Sequence, residues 1–96
     1  MTKRGEPSSW TIEIAEPAIR TLKKLQKSDS RRILDFLEDR VSRHPEPRKL
    51  AKPLSGMPDI WRFRVGDYRI ITRIEDSRLT VLVVAIGHRR EVYRQT

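Results

Sequence analysis

The sequence predicts an α+β fold, in which a mostly antiparallel four-stranded sheet packs against an N-terminal αα-hairpin. Apolar residues recur at helical spacing in the first half of the chain. From residue 60 onward they alternate with polar residues at a period of two. The predicted order of elements is therefore β-α-α-β-β-β. A length of 96 residues suits one domain, which we assign to residues 9–96 after a polar, flexible tail at residues 1–8.

The first strand and both helices are predicted within residues 9–44. Residues 9–14 alternate as a strand does, and Pro17 stands where a helix can begin without needing its N–H. Residues 28–30, Ser-Asp-Ser, are good N-cap residues for a second helix, which must end before Pro45. Two short amphipathic helices so close together indicate an αα-hairpin lying on the sheet. Their apolar stripes are Ala18, Ile19, Leu22 and Leu25 in the first helix, and Ile33, Leu34, Leu37 and Val41 in the second.

Three more strands are predicted after a proline-rich, basic connector at residues 45–59. Gly66-Asp67 is a short hairpin signal between the first two, and Asp76-Ser77 marks the next turn. Both the odd-numbered and the even-numbered positions of the last strand are apolar, so both of its faces need cover. We therefore expect it to lie centrally in the sheet and to be covered on both faces. The three strands are assigned to residues 60–65, 68–75 and 79–86.

Charge and composition narrow the class of protein. Lys and Arg number 21 against 13 Asp and Glu, a net charge of +8. Residues 48–96 hold eleven basic and five acidic residues, a balance of +6. This half either is a solvated basic surface or binds a polyanion, which is a nucleic acid or an acidic protein segment. The absence of cysteine and the presence of only two histidines argue against a disulfide scaffold, a cysteine nucleophile and a thiolate or histidine-rich metal site. We expect no metal and no cofactor.

The sequence has no apolar run long enough to cross a bilayer, and its basic N-terminus is not followed by an apolar segment. We therefore expect a cytoplasmic protein that does not bind membranes.

Arginines cluster on one face of the predicted hairpin. A two-residue loop at Gly66-Asp67 places Arg64 opposite Arg69 and Arg62 opposite Ile71. Like charges facing each other on a sheet are destabilising, within the range of about 0.2–1 kcal/mol for such pairs. The face is thus either an arginine-rich solvent face or a cradle of guanidinium forks for a phosphate. A three-residue loop would move Arg69 off it. The residues assigned to this face are Arg62, Arg64, Arg69, Ile71 and Arg73.

A second basic cluster, residues 87–94, follows the last strand. His88 is either a surface residue or a general base, since histidine titrates near neutral pH. Tyr93 either packs its ring on the sheet or stacks on a base and offers its hydroxyl.

Residues 54–59, 61–70 and 86–93 resemble the RelE/ParE toxin superfamily, the toxins of bacterial and archaeal toxin–antitoxin pairs. The segments Trp-Arg-Phe-Arg-Val-Gly-Asp-Tyr-Arg and His-Arg-Arg-Glu-Val-Tyr look closest to the RelE branch. The resemblance implies a RelE-like version of the predicted fold. It also implies a type II toxin that inhibits translation as a metal-independent endoribonuclease, cleaving mRNA in the ribosomal A site by transesterification through the RNA's own 2′-hydroxyl.

The resemblance also implies which residues form the site. In the RelE pattern, lysines stand where this chain has Arg62 and Arg64. Because arginine is always charged, the base that removes the 2′ proton is unassigned, with Tyr93, His88 or positioning by the ribosome as alternatives. The implied catalytic residues are Arg62, Arg64, Arg69, Arg89 and Tyr93. Further RNA contacts are expected at Lys49, Lys52, Arg73, His88 and Arg90.

The implied partners are a cognate RelB-like antitoxin, the ribosome with its mRNA, and operator DNA reached only through the antitoxin complex. A ParE-like inhibitor of DNA gyrase without nuclease activity is the alternative function. A nontoxic relative or a simple RNA-binding module is a third. Antitoxin contacts are expected at the basic residues of the first helix, namely Arg20, Lys23, Lys24 and Lys27.

Overall fold

The structure, a computed structural model, describes residues 9–88, and a five-stranded sheet is its central element. The strand order is β1-β5-β4-β3-β2, with β1 parallel to β5 and the other neighbours antiparallel. The α+β class is confirmed. The tail at residues 1–8 and the predicted site residues Arg89, Arg90 and Tyr93 lie outside the described residues. The strands are β1 (Thr11–Ile14), β2 (Lys52–Pro53), β3 (Ile60–Val65), β4 (Tyr68–Glu75) and β5 (Thr80–His88).

The prediction of four strands is wrong by one, because β2 joins the sheet as an edge strand beside β3. It is only two residues long and ends in a proline, which has no N–H to donate to a ladder. No alternating pattern can be recognised in so short a segment, so the proline-rich connector gave no sign of it.

Two helices, α1 (Glu16–Lys24) and α2 (Lys27–Asp35), form one layer against the sheet. Pro17 lies in the first turn of α1 as predicted. The predicted N-cap of α2 is wrong, since the helix begins at Lys27 and residues 28–30 lie inside its first turn. Ser30 Oγ instead donates a hydrogen bond to the carbonyl oxygen of Leu22 in α1, at 2.6 Å, and so ties the two helices together.

A wider helical turn of the π type, Phe36–Val41, continues α2. Ser42 follows it and exchanges two hydrogen bonds with Trp10: Trp10 N donates to Ser42 O at 2.7 Å, and Ser42 Oγ donates to Trp10 O at 2.8 Å. The end of the helical layer is thereby fixed to the start of β1.

The core lies between the helical layer and one face of the sheet. Phe36 and Phe63 meet edge to face across it, with ring centroids 6.0 Å apart. The largest buried side chains from the helices are Ile33, Leu37 and Val41, and those from the strands are Phe63, Ile70, Thr72, Ile74, Val81 and Val83. Because side chains alternate along a strand, the residues between these point to the opposite face, which we call the open face.

β5 lies between β1 and β4, as predicted for the last strand. Full coverage of both its faces is not observed, since Leu82 and Val84 are only half-buried. The strand also contains a bulge, because Ile71 pairs with Ala85 while Thr72 pairs with Val83, leaving Val84 as the extra residue. Before the bulge the odd-numbered residues of β5 face the core, and after it the even-numbered residues do. Ile86 and His88 therefore lie on the same side of the sheet as Val83.

The predicted register of the β3–β4 hairpin is confirmed: Arg64 pairs with Arg69, and Arg62 pairs with Ile71. Gly66 has φ = +58°, as required at the first position of a tight two-residue hairpin loop. A Cβ on Gly66 would lie 3.2 Å from Nη2 of Arg32, so the turn and α2 approach closely here.

Candidate functional site

Five cationic side chains surround a cleft of about 230 Å³ on the open face of the sheet. The arginines come from β3 and β4. The lysines come from β2 and from the 3₁₀ turn Pro47–Leu50 that precedes it. Within residues 9–88, no acidic residue lines the cleft. The lining is Lys49, Leu50, Ala51, Lys52, Arg62, Arg64 and Arg69.

Arg69 is the most deeply placed of these cations, with 8% of its surface exposed. Its Nε and Nη1 atoms are buried and have no hydrogen-bond partner within residues 9–88. Gly87 faces it across the β4–β5 ladder and offers no side chain. Leaving a buried donor unpaired costs about 1–3 kcal/mol, and more when the group is charged. Arg69 also lines the cleft, so its guanidinium is a candidate to bind an anion there.

Arg62 and Arg64 complete the arginine cluster at different depths. Arg64 is exposed and stands directly opposite Arg69, whereas Arg62 is half-buried and pairs with Ile71 on one side and Lys52 on the other. Guanidinium groups present planar forks of donors that match the paired oxygens of phosphates. Three forks around one cleft can stabilise a negative charge that develops on phosphate oxygens.

The wall that carries Lys49 is held in place by Arg48. Its Nη1 and Nη2 donate to Oδ1 and Oδ2 of Asp76, each at 2.9 Å, and its Cζ lies 5.6 Å from the centroid of the Trp61 ring. The hydrogen bonds from Arg48 lower the pKa of the Asp76 carboxyl, and the same contact raises the pKa of Arg48. This clamp fixes the 3₁₀ turn against β3 and the end of β4. The role of Arg48 could not be predicted from its sequence neighbours, because its partner lies 28 residues away.

Two of the expected RNA contacts lie outside the cleft. His88 lies on the core side of the sheet, where its ring centroid is 5.8 Å from that of Tyr68. The Tyr68 hydroxyl in turn donates to Oδ2 of Asp29 at 3.1 Å. Arg73 is exposed on β4 opposite Ile60 and does not line the cleft. The structure thus brings together three of the five implied catalytic residues with Lys49 and Lys52.

The basic residues expected to contact an antitoxin lie in the helical layer, on the other side of the sheet from the cleft. All four are exposed, on α1 and at the first residue of α2: Arg20, Lys23, Lys24 and Lys27.

Residues 9–88 contain no group of three or more His, Cys, Asp or Glu side chains arranged to hold a metal ion. None of the helices in this part of the chain is long and apolar enough to span a membrane.

Comparisons with known proteins agree with the fold. Residues 12–93 match the family described as the ParE toxin of the type II toxin–antitoxin system parDE. Toxin RelG of Mycobacterium tuberculosis is 31% identical over 87 residues, which cover 90% of this chain and 98% of that protein. The mRNA interferase toxin RelE of Escherichia coli is 25% identical over 95 residues, covering 91% and 93% of the two chains.

A solved structure is also similar. The toxin–antitoxin complex RelBE2 of Mycobacterium tuberculosis contains a chain that matches with a TM-score of 0.77 and 29% identity, covering 88% of this chain and 95% of that one. The predicted resemblance is therefore confirmed by a family match over most of the chain, by relatives and by the fold. The chain belongs to the RelE/ParE superfamily of type II toxin–antitoxin toxins and is a RelE-type toxin.

Proposed function

We propose that this toxin is a ribosome-dependent endoribonuclease that cleaves mRNA in the ribosomal A site and so inhibits translation. The observation that supports it most directly is the buried side chain of Arg69, whose Nε and Nη1 have no hydrogen-bond partner within residues 9–88. Arg69 lines a cleft whose other described lining residues are cationic or apolar. Such a cleft suits an anion with several oxygens. The name of the Escherichia coli relative, an mRNA interferase, points to the phosphodiester of RNA as that anion.

The proposed reaction is a transesterification within the RNA. The 2′-oxygen attacks the adjacent phosphorus and loses its proton, the P–O5′ bond breaks, and the products are a 2′,3′-cyclic phosphate and a free 5′-hydroxyl. Arg62, Arg64 and Arg69 would bind the non-bridging oxygens, on which charge accumulates as the dianionic phosphorane forms. From the resemblance, Arg89 would lie near the leaving oxygen and Tyr93 would stack on a nucleotide. We propose that the step needs no metal ion.

The position of His88 argues against it as the base that would take the 2′ proton. His88 lies on the core side of the sheet, away from the arginine cluster, so it is poorly placed for this role. Arginine does not lose its proton in proteins. Tyr93 and precise positioning of the RNA by the ribosome remain the alternatives for this half of the reaction.

We further propose a RelB-like antitoxin as partner, by analogy with the toxin–antitoxin complex RelBE2 that shares this fold. The exposed basic residues of α1 would bind acidic antitoxin residues, and the pair would reach operator DNA through the antitoxin. The proposed setting for both activities is the cytoplasm, where ribosomes translate.

Cleavage of a defined mRNA in a reconstituted translation system tests the proposal. The wild-type toxin should cut within the A-site codon only when ribosomes are present. Arg69→Ala, Arg64→Ala and Arg89→Ala should lower the rate by about 10²-fold or more, as removal of transition-state donors does elsewhere. Arg43→Ala, at an exposed position in the turn after α2, is the matched control and should cleave normally.

A toxin that leaves mRNA intact and acts on DNA gyrase would have the alternative function. Intact transcripts, together with accumulated gyrase–DNA cleavage complexes, would identify a ParE-like gyrase inhibitor and overturn the nuclease proposal. Normal cleavage by Arg69→Ala would show that the cleft is not the catalytic site.

A further inference from the structure

We propose that Asp29 and Tyr68 are positioning residues for Arg69, an inference that rests on the proposed ribonuclease function. Asp29 lies in the helical layer, and the Tyr68 ring lies on the core side of the sheet, opposite the cleft. Neither of them is part of the cleft lining. They would act on the RNA only through β4, the strand that carries Arg69.

A hydrogen bond between the two residues joins α2 to the β3–β4 hairpin. The Tyr68 hydroxyl donates to Oδ2 of Asp29 at 3.1 Å, and both residues are half-buried. A carboxylate acceptor makes such a bond stronger than one between neutral groups. One turn further along α2, Nη2 of Arg32 lies 3.2 Å from the place that a Cβ on Gly66 would take. The helix thus contacts the hairpin at two points, the loop and the first residue after it.

The hydrogen-bonded tyrosine stands directly before Arg69 in β4. Successive side chains of a strand point to opposite faces, so Tyr68 faces the helices while Arg69 faces the cleft. The Tyr68 ring also meets the His88 ring edge to face, with centroids 5.8 Å apart. Because these contacts fix the backbone at Tyr68, they also set the direction in which Arg69 leaves the sheet.

The other described neighbours of Arg69 do little to orient it. Its Nε and Nη1 have no hydrogen-bond partner within residues 9–88, and Gly87, opposite it in β5, has no side chain. Arg64, opposite it in β3, carries the same charge and repels it. The aim of this guanidinium therefore depends on its own strand. Rates fall steeply when a group that binds the reacting atoms is slightly misplaced.

Conservative variants test the role. Tyr68→Phe removes only the hydroxyl, Asp29→Ala removes the acceptor, and Asp29→Asn keeps an oxygen that can accept the bond. Asp35→Ala is the matched control, since it removes an exposed carboxylate from the same helix. Single-turnover cleavage of ribosome-bound mRNA at increasing toxin concentration gives the rate at saturation and the half-saturating concentration.

The rate at saturation should fall by about tenfold or more for Tyr68→Phe and for Asp29→Ala. The half-saturating concentration should stay within about twofold of the wild type, because the surface that binds the ribosome is unchanged. Asp29→Asn and Asp35→Ala should cleave at close to the wild-type rate. Tyr68→Phe combined with Asp29→Ala should lose no more than either change alone, since both remove the same hydrogen bond.

Wild-type rates for Tyr68→Phe would overturn the positioning role and leave the nuclease function intact. Equal losses for Asp29→Asn and Asp29→Ala would do the same. So would a loss that disappears when the assay is run in the cold, because it would reflect only a less stable fold. If the wild-type toxin cleaves no mRNA on ribosomes, the proposed function fails and this inference fails with it.

Discussion

Arg69 combines 8% exposure of the residue with two buried nitrogen atoms, Nε and Nη1, that have no hydrogen-bond partner within residues 9–88. Folding alone does not favour this combination. Buried polar groups in native proteins are nearly always hydrogen-bonded, and exceptions concentrate at functional sites. The neighbouring Arg64 adds like-charge repulsion across the ladder. We infer that the burial of Arg69 carries an energetic cost that a bound phosphate would offset.

This cost predicts that Arg69→Met stabilises the free toxin. Methionine fills a similar volume without a charge, and replacing buried ionic groups by apolar ones is often neutral or stabilising. We expect the free energy of unfolding to rise by about 1–3 kcal/mol, the penalty of an unsatisfied buried donor. For a domain of this size each kcal/mol raises the melting temperature by roughly 4–8 °C. Thermal unfolding measures the gain, and mRNA cleavage should be lost in the same variant.

Arg64→Met is the matched control for that prediction. Arg64 is exposed, so its replacement should change the free energy of unfolding by no more than about 0.5 kcal/mol while still lowering cleavage. A lower melting temperature for Arg69→Met would contradict the inference, because it would show that the buried guanidinium is a net stabiliser of the fold.

At the scale of single elements, local signals predicted the hairpin that holds the arginines. Gly66-Asp67 defines the loop and the alternation defines the faces, so the pairing of Arg64 with Arg69 follows from neighbouring residues alone. The bulge at Val84 was not predictable in this way, because it appears only when β5 is aligned with β4. That single residue reverses the parity of the strand end and puts His88 on the core side.

The wall of the cleft, like the bulge, could not be predicted from local sequence. Lys49 and Lys52 could be recognised as basic residues of a proline-rich connector, but their position beside the arginines depends on β2 and on the Arg48–Asp76 clamp. Both are contacts between distant segments. The burial of Arg69 could not be predicted from the sequence either. The alternation of side chains assigns a residue to one face of the sheet, but it does not say how deeply that face is covered.

The clamp predicts a pH dependence of stability with a definite sign. Hydrogen bonds from Arg48 lower the pKa of the Asp76 carboxyl in the folded state. The clamp's contribution to stability is therefore fully present above the carboxyl's unfolded pKa, about 3.9, and is lost as pH falls through the lower folded value. Asp76→Asn lacks this contribution at every pH. Denaturant unfolding should show the wild type more stable than Asp76→Asn at pH 7, with the difference shrinking below pH ~4.

A double-mutant cycle isolates this effect from the other carboxyl groups. In an Arg48→Ala background, Asp76→Asn should no longer change the pH dependence, because the partner that lowers the pKa is missing. A difference that persists in this background, or one that grows in acid, would show that the clamp does not link stability to protonation of Asp76.

At the scale of the whole molecule, basic residues within the range 9–88 lie on two sides of one sheet. The cleft occupies the open face, while Arg20, Lys23, Lys24 and Lys27 are exposed on the helical layer that covers the other face. Packed layers lie about 10 Å apart, and the Debye length at physiological ionic strength is about 8 Å. The two basic regions are therefore screened from each other, and each can be altered with little effect on the other.

This separation predicts opposite effects for two kinds of variant. Lys23→Glu combined with Lys24→Glu should weaken binding of the proposed antitoxin by about tenfold or more and flatten its salt dependence, because charge complementarity is lost at an exposed surface. Cleavage by the free toxin should be unchanged. Arg69→Ala should abolish cleavage while antitoxin affinity stays close to that of the wild type. Calorimetric titration with the cognate antitoxin at two salt concentrations, beside the translation assay, measures both. If Arg69→Ala weakens antitoxin binding as much as the helix variant does, the antitoxin covers the cleft itself, and the two faces do not act separately.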